Sequence, residues 1–342
     1  MKAVVIHEHG GIDRLRHQDH PDPSPGVGEV LVRVRVCGMN HLDLLTREGR
    51  VATKVPLPHI MGSEVAGDVV AVGPEVRGLD PGMAVAVATR LACGRCEYCL
   101  RGEDNICLTS RAIGLEVPGG YAELMAAPAV NCVPLPAGVS YRQSAAFTLA
   151  GLTAWHMLVT RARARAGEDV LVIAAGSGVG SAAIQIAKLL GCRVIATAGS
   201  EEKLRLAKEL GADCVINHRE QAFDEEVRRF TDKRGVDVVV EHVGAATWDR
   251  SVKALGKNGR LVTCGAHTGL QAPVEIWRLF TRQISLIGSY LGTRGELTEV
   301  LRLIGQGRLH PIIHAILPLA EARHGHELLE ERRQFGKILL EP

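Results

Sequence analysis

The chain has 342 residues, 46% hydrophobic and 23% charged, which is ordinary for a globular protein and long enough for two packed domains. Forty Lys and Arg against 38 Asp and Glu leave a formal net charge of +2, which excludes a strong electrostatic footprint for nucleic acid or an anionic membrane. The nine cysteines, an odd number, argue against a disulfide framework, and the first residues enter a strand-like run with no signal-peptide pattern, so a cytosolic protein is expected.

The first 150 residues are strand-rich with Gly and Pro punctuation. Residues 29–36 (EVLVRVRV) alternate as a half-buried strand does. Residues 68–72 and 83–88 are short strands between the turn signals Gly73-Pro74 and Pro81-Gly82. Such spacing suggests a small barrel or sandwich. From about residue 151 the pattern becomes strand, helix, strand. Apolar strands are expected over 170–174, 193–197, 214–216, 236–240, 260–263 and 285–288. Helices are expected over 181–190, 201–210 and 224–230, and near 248–255. This alternation predicts an α/β fold with a doubly wound parallel sheet over 151–289. The longest apolar run, 170–187, holds Gly176, Gly178 and Gly180, and reads as strand, turn and helix and not as a membrane span. Beyond residue 290 two helices (296–304 and 320–332) and a last strand (336–340) are expected.

Four of the cysteines, Cys93, Cys96, Cys99 and Cys107, fall within fifteen residues. Closely spaced thiolates converge on one tetrahedral zinc, and four sulfurs close its coordination sphere. The ion is therefore expected to be structural, one per chain, with no position for water or substrate.

After the strand 170–174 comes Ala175-Gly176-Ser177-Gly178-Val179-Gly180, then a helix. A tight turn of small residues at a helix N-terminus lets backbone amides approach a pyrophosphate. Gly176, Ser177, Gly178 and Val179 are the expected cradle of a nicotinamide dinucleotide. The next strand ends Thr197-Ala198-Gly199-Ser200, without the acidic side chain that holds a free ribose 2′-hydroxyl in NAD sites. Ser200 and Lys203 suit a 2′-phosphate, so NADP(H) is favoured over NAD(H). Glu201 and Glu202 oppose that reading unless they only complement the helix dipole.

With these motifs the chain resembles the medium-chain dehydrogenase/reductase superfamily, which includes zinc alcohol dehydrogenases and quinone oxidoreductases. The resemblance runs over essentially the whole chain. It rests on Cys37-Gly-Met-Asn40-His-Leu-Asp43, Gly62-Ser63-Glu64-Val-Ala-Gly67, the four-cysteine lobe, Ala150-Gly151-Leu152-Thr153 and the dinucleotide turn. It implies a GroES-like β-rich catalytic domain from residues 1–150, completed by 290–342, around an inserted Rossmann domain, with hydride transfer in the cleft between them. It implies a homodimer or homotetramer acting on a small-molecule substrate. It also places His41, Thr153, Val243, Gly265 and Ala266 beside the cofactor.

Zinc alcohol dehydrogenases carry a second, catalytic zinc, whose three ligand positions match Asn40, Ser63 and Leu149 here. Leu149 cannot coordinate a metal, and amide and hydroxyl oxygens are poor zinc ligands. Quinone oxidoreductases also carry Asn at the Asn40 position, although many of them lack the zinc lobe. Hydride addition to a quinone or an α,β-unsaturated carbonyl spreads charge onto a distant oxygen, so hydrogen-bond donors replace a Lewis acid. Asn40 and Ser63 are the expected donors and Asp43 their polar support. Two alternatives stay open: an alcohol or aldehyde dehydrogenase with a metal site rebuilt from His59, Glu64 or Cys37, and a non-enzymatic NADPH-binding sensor or structural protein.

Overall fold

In the computed structural model, which describes residues 1–342, the chain divides into two units, Met1–Ala150 with Gly292–Pro342, and Gly151–Leu291.

The first unit is GroES-like and built on a seven-stranded sheet around the strand Glu29–Gly38. Alternation decides its orientation: Val30, Val32, Val34 and Val36 are buried, while Arg33 and Arg35 point outward. Glu64–Val72 pairs antiparallel on one side of it, and Lys337–Glu341 on the other. In the second pairing Leu339 faces Gly38 and Leu340 faces Cys37, so the register carries Lys337 to Asn40. The expected elements of this unit change at their ends. The strand expected over 68–72 begins at Glu64, that over 83–88 shrinks to Ala84–Val87, and the helix expected over 320–332 splits into a 3-10 turn, Leu319–Glu321, and Ala322–Glu330. Ile313–Pro318 is a strand that the sequence reading did not name.

The second unit is the Rossmann-like doubly wound sheet. Its strands are β1 (Asp169–Val172), β2 (Arg193–Ala198), β3 (Cys214–Asn217), β4 (Val236–Glu241), β5 (Leu255–Thr263) and β6 (Ser285–Gly288). Its helices are α1 (Gly178–Leu189), α2 (Glu201–Glu209), α3 (Phe223–Phe230), α4 (Ala245–Ala254) and α5 (Ile276–Arg282). The strands are all parallel, in the order β3-β2-β1-β4-β5-β6. The chain therefore reverses winding direction between β1 and β4, where ligands bind outside the carboxyl ends of such strands. Both faces of the sheet are covered, which is why Val170, Leu171, Val172, Val238, Val239 and Val240 are all fully buried. Each buried Val or Leu side chain contributes roughly 1.5–3 kcal/mol.

Helix α1 starts at Gly178, three residues earlier than expected, because Ser177 caps it by accepting the Gly180 N–H at 2.8 Å. Gly180 sits where a Cβ would collide with the Ala174 carbonyl, so the glycine is what lets α1 lie close on β1. Helix α5 escaped the sequence reading because none of its residues is buried, and Trp277 and Phe280 face solvent. No helix of either unit is long and apolar enough to cross a membrane.

Candidate functional site

In the first unit the motif residues assemble around a buried ion pair. Asn40 precedes the helix His41–Glu48, and its N–H donates to the Asp43 carboxylate at 2.8 Å. Glu64 opens its strand with no solvent exposure. Lys337, 4% exposed, places Nζ 2.7 Å from Glu64 Oε2. The same ammonium donates to Asn40 Oδ1 at 2.6 Å and to the Met39 carbonyl at 2.5 Å. Its three protons thus have three acceptors. Asn40 Nδ2 donates to Glu64 Oε2 at 3.0 Å and to the Gly38 carbonyl at 3.3 Å. Glu64 Oε1 accepts the N–H groups of Leu149 at 2.6 Å and Ala150 at 3.2 Å. Both carboxylate oxygens carry two donors each.

The other motif residues are committed in the same way. Ser63 is buried, and its hydroxyl donates to the Ile113 carbonyl at 2.7 Å. Asp43 also accepts the Tyr121 hydroxyl at 3.0 Å, and Tyr121 is fully buried in the core. Burial pushes the Asp43 carboxyl up to about 6 despite these donors and the nearby Lys337 charge. Gly62 holds a φ of 96° against Tyr121 and Cys37, where any side chain would collide. Burial also raises the Cys37 thiol well above its usual range, which keeps it protonated.

These residues do not fit a catalytic zinc. Leu149 has no donor atom, the Ser63 hydroxyl and the Asn40 carbonyl oxygen are spent, and an ammonium already neutralises Glu64. A divalent cation there would sit against Lys337 with no thiolate or imidazole to hold it. Sequence reasoning missed Lys337. The available signal was a lysine that opens the apolar run 338–340 of the last strand.

The four-cysteine lobe fits zinc. The sulfurs of Cys93, Cys96, Cys99 and Cys107 all lie within 4.8 Å of one another, with 3.5 Å between Cys96 and Cys99. Zn–S bonds of about 2.3 Å in a tetrahedron require about 3.8 Å between sulfurs. Backbone N–H groups already point at the sulfurs, from Cys93 to Cys107 at 3.2 Å and from Cys96 to Cys93 at 3.3 Å. The N–H groups of Arg95 and Cys96 lower the Cys93 thiol to about 6, which favours the thiolate that zinc needs.

In the second unit the turn after β1 fits a dinucleotide diphosphate. Ser177 lies in the turn between β1 and α1, and its Oγ is 2.9 Å from Nε2 of His242, the residue after the neighbouring strand β4. His242 follows β4, is 6% exposed, and leaves Nδ1 buried without a partner. Burial holds its imidazole down at about 4, so the ring is neutral. Val243 and Gly244 donate their N–H groups to the buried Glu241 carboxylate at 2.7 and 3.1 Å, which shapes this loop. Gly265 approaches it so closely that a Cβ would lie 2.7 Å from the His242 carbonyl. Gly265 and Ala266 line a cavity of about 590 Å³ with Gly244, Thr263, Cys264 and Ser289. Thr153 is buried in the same unit.

At the end of β2, Ser200 caps α2 by accepting the Lys203 N–H. A Cβ on Gly199 would lie 2.9 Å from Arg219 Nε and 3.1 Å from His218 Nε2. His218 and Arg219 follow β3 and were not singled out from the sequence, because their approach to β2 is a parallel-sheet neighbourhood and not a local pattern.

Residues 178–306 match the family model described as zinc-binding dehydrogenase, and residues 26–137 match the alcohol dehydrogenase GroES-like domain. A relative named NAD-dependent alcohol dehydrogenase, from Sulfolobus acidocaldarius, is 35% identical and the match covers 99% of both chains. One named acryloyl-coenzyme A reductase, from Metallosphaera sedula, is 31% identical, again over 99% of both. A crystal structure of an NAD-dependent alcohol dehydrogenase is 46% identical over the whole of both chains, with a TM-score of 0.96.

Proposed function

The chain belongs to the zinc-type medium-chain dehydrogenase/reductase superfamily and is an oxidoreductase, and on that premise we propose that it reduces conjugated acceptors with NADPH and without a catalytic metal. The observation that carries this reading is the Lys337–Glu64–Asn40 network, which ties up Asn40, one of the three positions that match the catalytic-zinc ligands of zinc alcohol dehydrogenases. Nicotinamide, when bound, supplies the hydride. A quinone or an enal, enone or enoyl thioester accepts it at carbon and carries the resulting charge on a remote oxygen, where no Lewis acid is required. Acryloyl-coenzyme A, the substrate in the name of one relative, is such a thioester.

Asn40 and Ser63 act in this reading by position. Their donors are bound to Glu64, Gly38 and Ile113, so they hold the shape and charge of the region around His41 and do not transfer protons. Asp43 anchors Asn40 and Tyr121. The diphosphate is held by Gly176, Ser177, Gly178 and Val179, and the nicotinamide half by His41, Thr153, Val243, Gly265 and Ala266. Ser200, Lys203, His218 and Arg219 favour a 2′-phosphate, which supports NADP(H) even though two of the relatives above are named for NAD. The exposed edge of β6 and the apolar Trp277 and Phe280 of α5 support a homodimer or homotetramer.

A second reading is favoured by the names of the alcohol dehydrogenases among the relatives: oxidation of an alcohol at a metal held by other residues. One experiment separates the two. Zinc per chain is measured on the purified enzyme, and turnover is measured on a panel of quinones, enones, enoyl thioesters, alcohols and aldehydes. One zinc and activity on conjugated acceptors alone is expected; two zinc ions with alcohol oxidation overturns the proposal.

A further inference from the structure

The ring of His242 has no role in the reading above, yet it stands at the reversal point of the sheet. Three observations define its state. Ser177 Oγ already accepts the Gly180 N–H at 2.8 Å. The next polar atom against that hydroxyl is His242 Nε2 at 2.9 Å. His242 Nδ1 is buried and has no partner in a residue only 6% exposed.

Ser177 Oγ has one hydrogen and two lone pairs, and the Gly180 N–H takes one lone pair. Of the two neutral tautomers of His242, we assign the one in which the serine hydrogen is donated to Nε2. Nε2 then accepts it, and a neutral imidazole that accepts at Nε2 carries its own hydrogen on Nδ1. The ring is neutral because burial disfavours its cation. A buried N–H donor without an acceptor costs roughly 1–3 kcal/mol. Such a group is retained where a ligand supplies the missing acceptor. The neighbours of His242 are the proposed diphosphate turn at Ser177 and the Val243 and Gly265 segments.

We propose that His242 is a cofactor-binding residue whose Nδ1–H donates to an oxygen of the bound dinucleotide, on its diphosphate or nicotinamide-side ribose, while Nε2 locks the Ser177 hydroxyl. The inference rests on nicotinamide dinucleotide binding by this unit, not on the choice between NADP and NAD. It makes one histidine the link between the turn after β1 and the loop after β4. Dinucleotide binding then closes a hydrogen bond that the free protein leaves open.

The test is direct binding to the full chain, with NADPH and NADH each titrated by their own fluorescence. His242→Leu removes both ring nitrogens. His242→Asn keeps an amide donor near the Nδ1 position, and His242→Gln keeps one near Nε2. The expected result is a Kd raised about tenfold or more in the Leu and Gln variants, the loss of one donor to a charged or polar acceptor. The Asn variant stays within about threefold of the parent. An adenosine fragment that the parent binds, adenosine 5′-monophosphate or its 2′-phosphorylated form, is expected to bind all three variants equally, because it lacks the half of the cofactor in question. A Leu variant that binds the dinucleotide as tightly as the parent overturns the proposal. So does a Gln variant that matches the Asn variant, or a loss of the fragment in parallel with the dinucleotide. If the Leu chain does not fold, the Asn and Gln pair decides alone. A parent chain that binds neither dinucleotide is a different outcome and overturns the cofactor reading itself.

Discussion

Lys337 Nζ lies 2.7 Å from Glu64 Oε2, with the two side chains 5% and 0% exposed. The pair joins the last strand of the chain to a motif of the first domain. Removing one partner of a buried pair leaves the other charge uncompensated, at about 3–5 kcal/mol. Lys337→Met is therefore expected to lower the stability of the first unit by that order, measured as a fall in the thermal midpoint. Glu64→Gln added to it is expected to return a large part, because the amide carbonyl still accepts the Leu149 and Ala150 N–H groups. A double variant no more stable than the single one shows that charge burial is not the cause.

The two metal questions separate cleanly. Purified protein is expected to carry one zinc per chain by mass spectrometry, on Cys93, Cys96, Cys99 and Cys107. Cys96→Ser is expected to lose the ion and to lower the thermal midpoint by about 2–4 °C or more, the shift that about 1 kcal/mol produces in a unit of this size. The specific activity of the protein that remains folded is expected to hold, since a closed four-sulfur sphere offers no open position. Activity lost in proportion to zinc, at unchanged folded fraction, would falsify the structural assignment.

What could be read from the sequence follows the range over which each feature acts. The alternation of 29–36 and the continuous apolar strands of the second unit are local periodicities, and they gave the sheets directly. The cysteine lobe is local as well, with its ligands within fifteen residues. Lys337 meets Asn40 only because the last strand returns antiparallel beside Glu29–Gly38, a pairing across nearly the whole chain. His242 and Ser177 meet because β1 and β4 are adjacent although two strands lie between them in sequence. Arg219 meets Gly199 by the same kind of neighbourhood, β3 beside β2. The absent catalytic ligands were visible one position at a time. The cation that meets Asn40, one of those positions, was not.

In the NADPH reading proposed above, Arg219, beside Gly199, is the group that carries the cofactor preference. A guanidinium this near the end of β2 meets a 2′-phosphate, and a hydrogen bond to a charged group contributes about 1.5–3 kcal/mol. Arg219→Ala is expected to raise the Michaelis constant for NADPH by about 10- to 100-fold and to leave that for NADH within about twofold. Steady-state kinetics with both cofactors checks it. Equal losses with NADPH and NADH would show that Arg219 supports the loop and does not read the phosphate.

Asp43 makes a prediction whose sign is opposite to that of an ordinary ion-paired carboxylate. Burial raises it to about 6, against about 3.9 for an unfolded aspartate. The folded chain therefore binds more protons at this site than the unfolded chain between about pH 4 and pH 6, and stability falls as the pH rises through that window. Above it the full penalty applies, at most about 3 kcal/mol for a shift of about two units. The groups that face the carboxylate are the Asn40 and Gly62 N–H groups, the Tyr121 hydroxyl, the Cys37 thiol and the Lys337 ammonium. Asp43→Asn keeps an acceptor for Asn40 and Tyr121 and cannot ionise. Thermal melts of both proteins from pH 4 to pH 7.5 are expected to show the variant gaining on the parent between pH 4 and pH 6, with the gap constant above that. Taking the difference cancels every other titrating group that the two chains share. A gap that does not change with pH would mean that Asp43 stays ionised in the fold, held by Lys337 more strongly than burial opposes it.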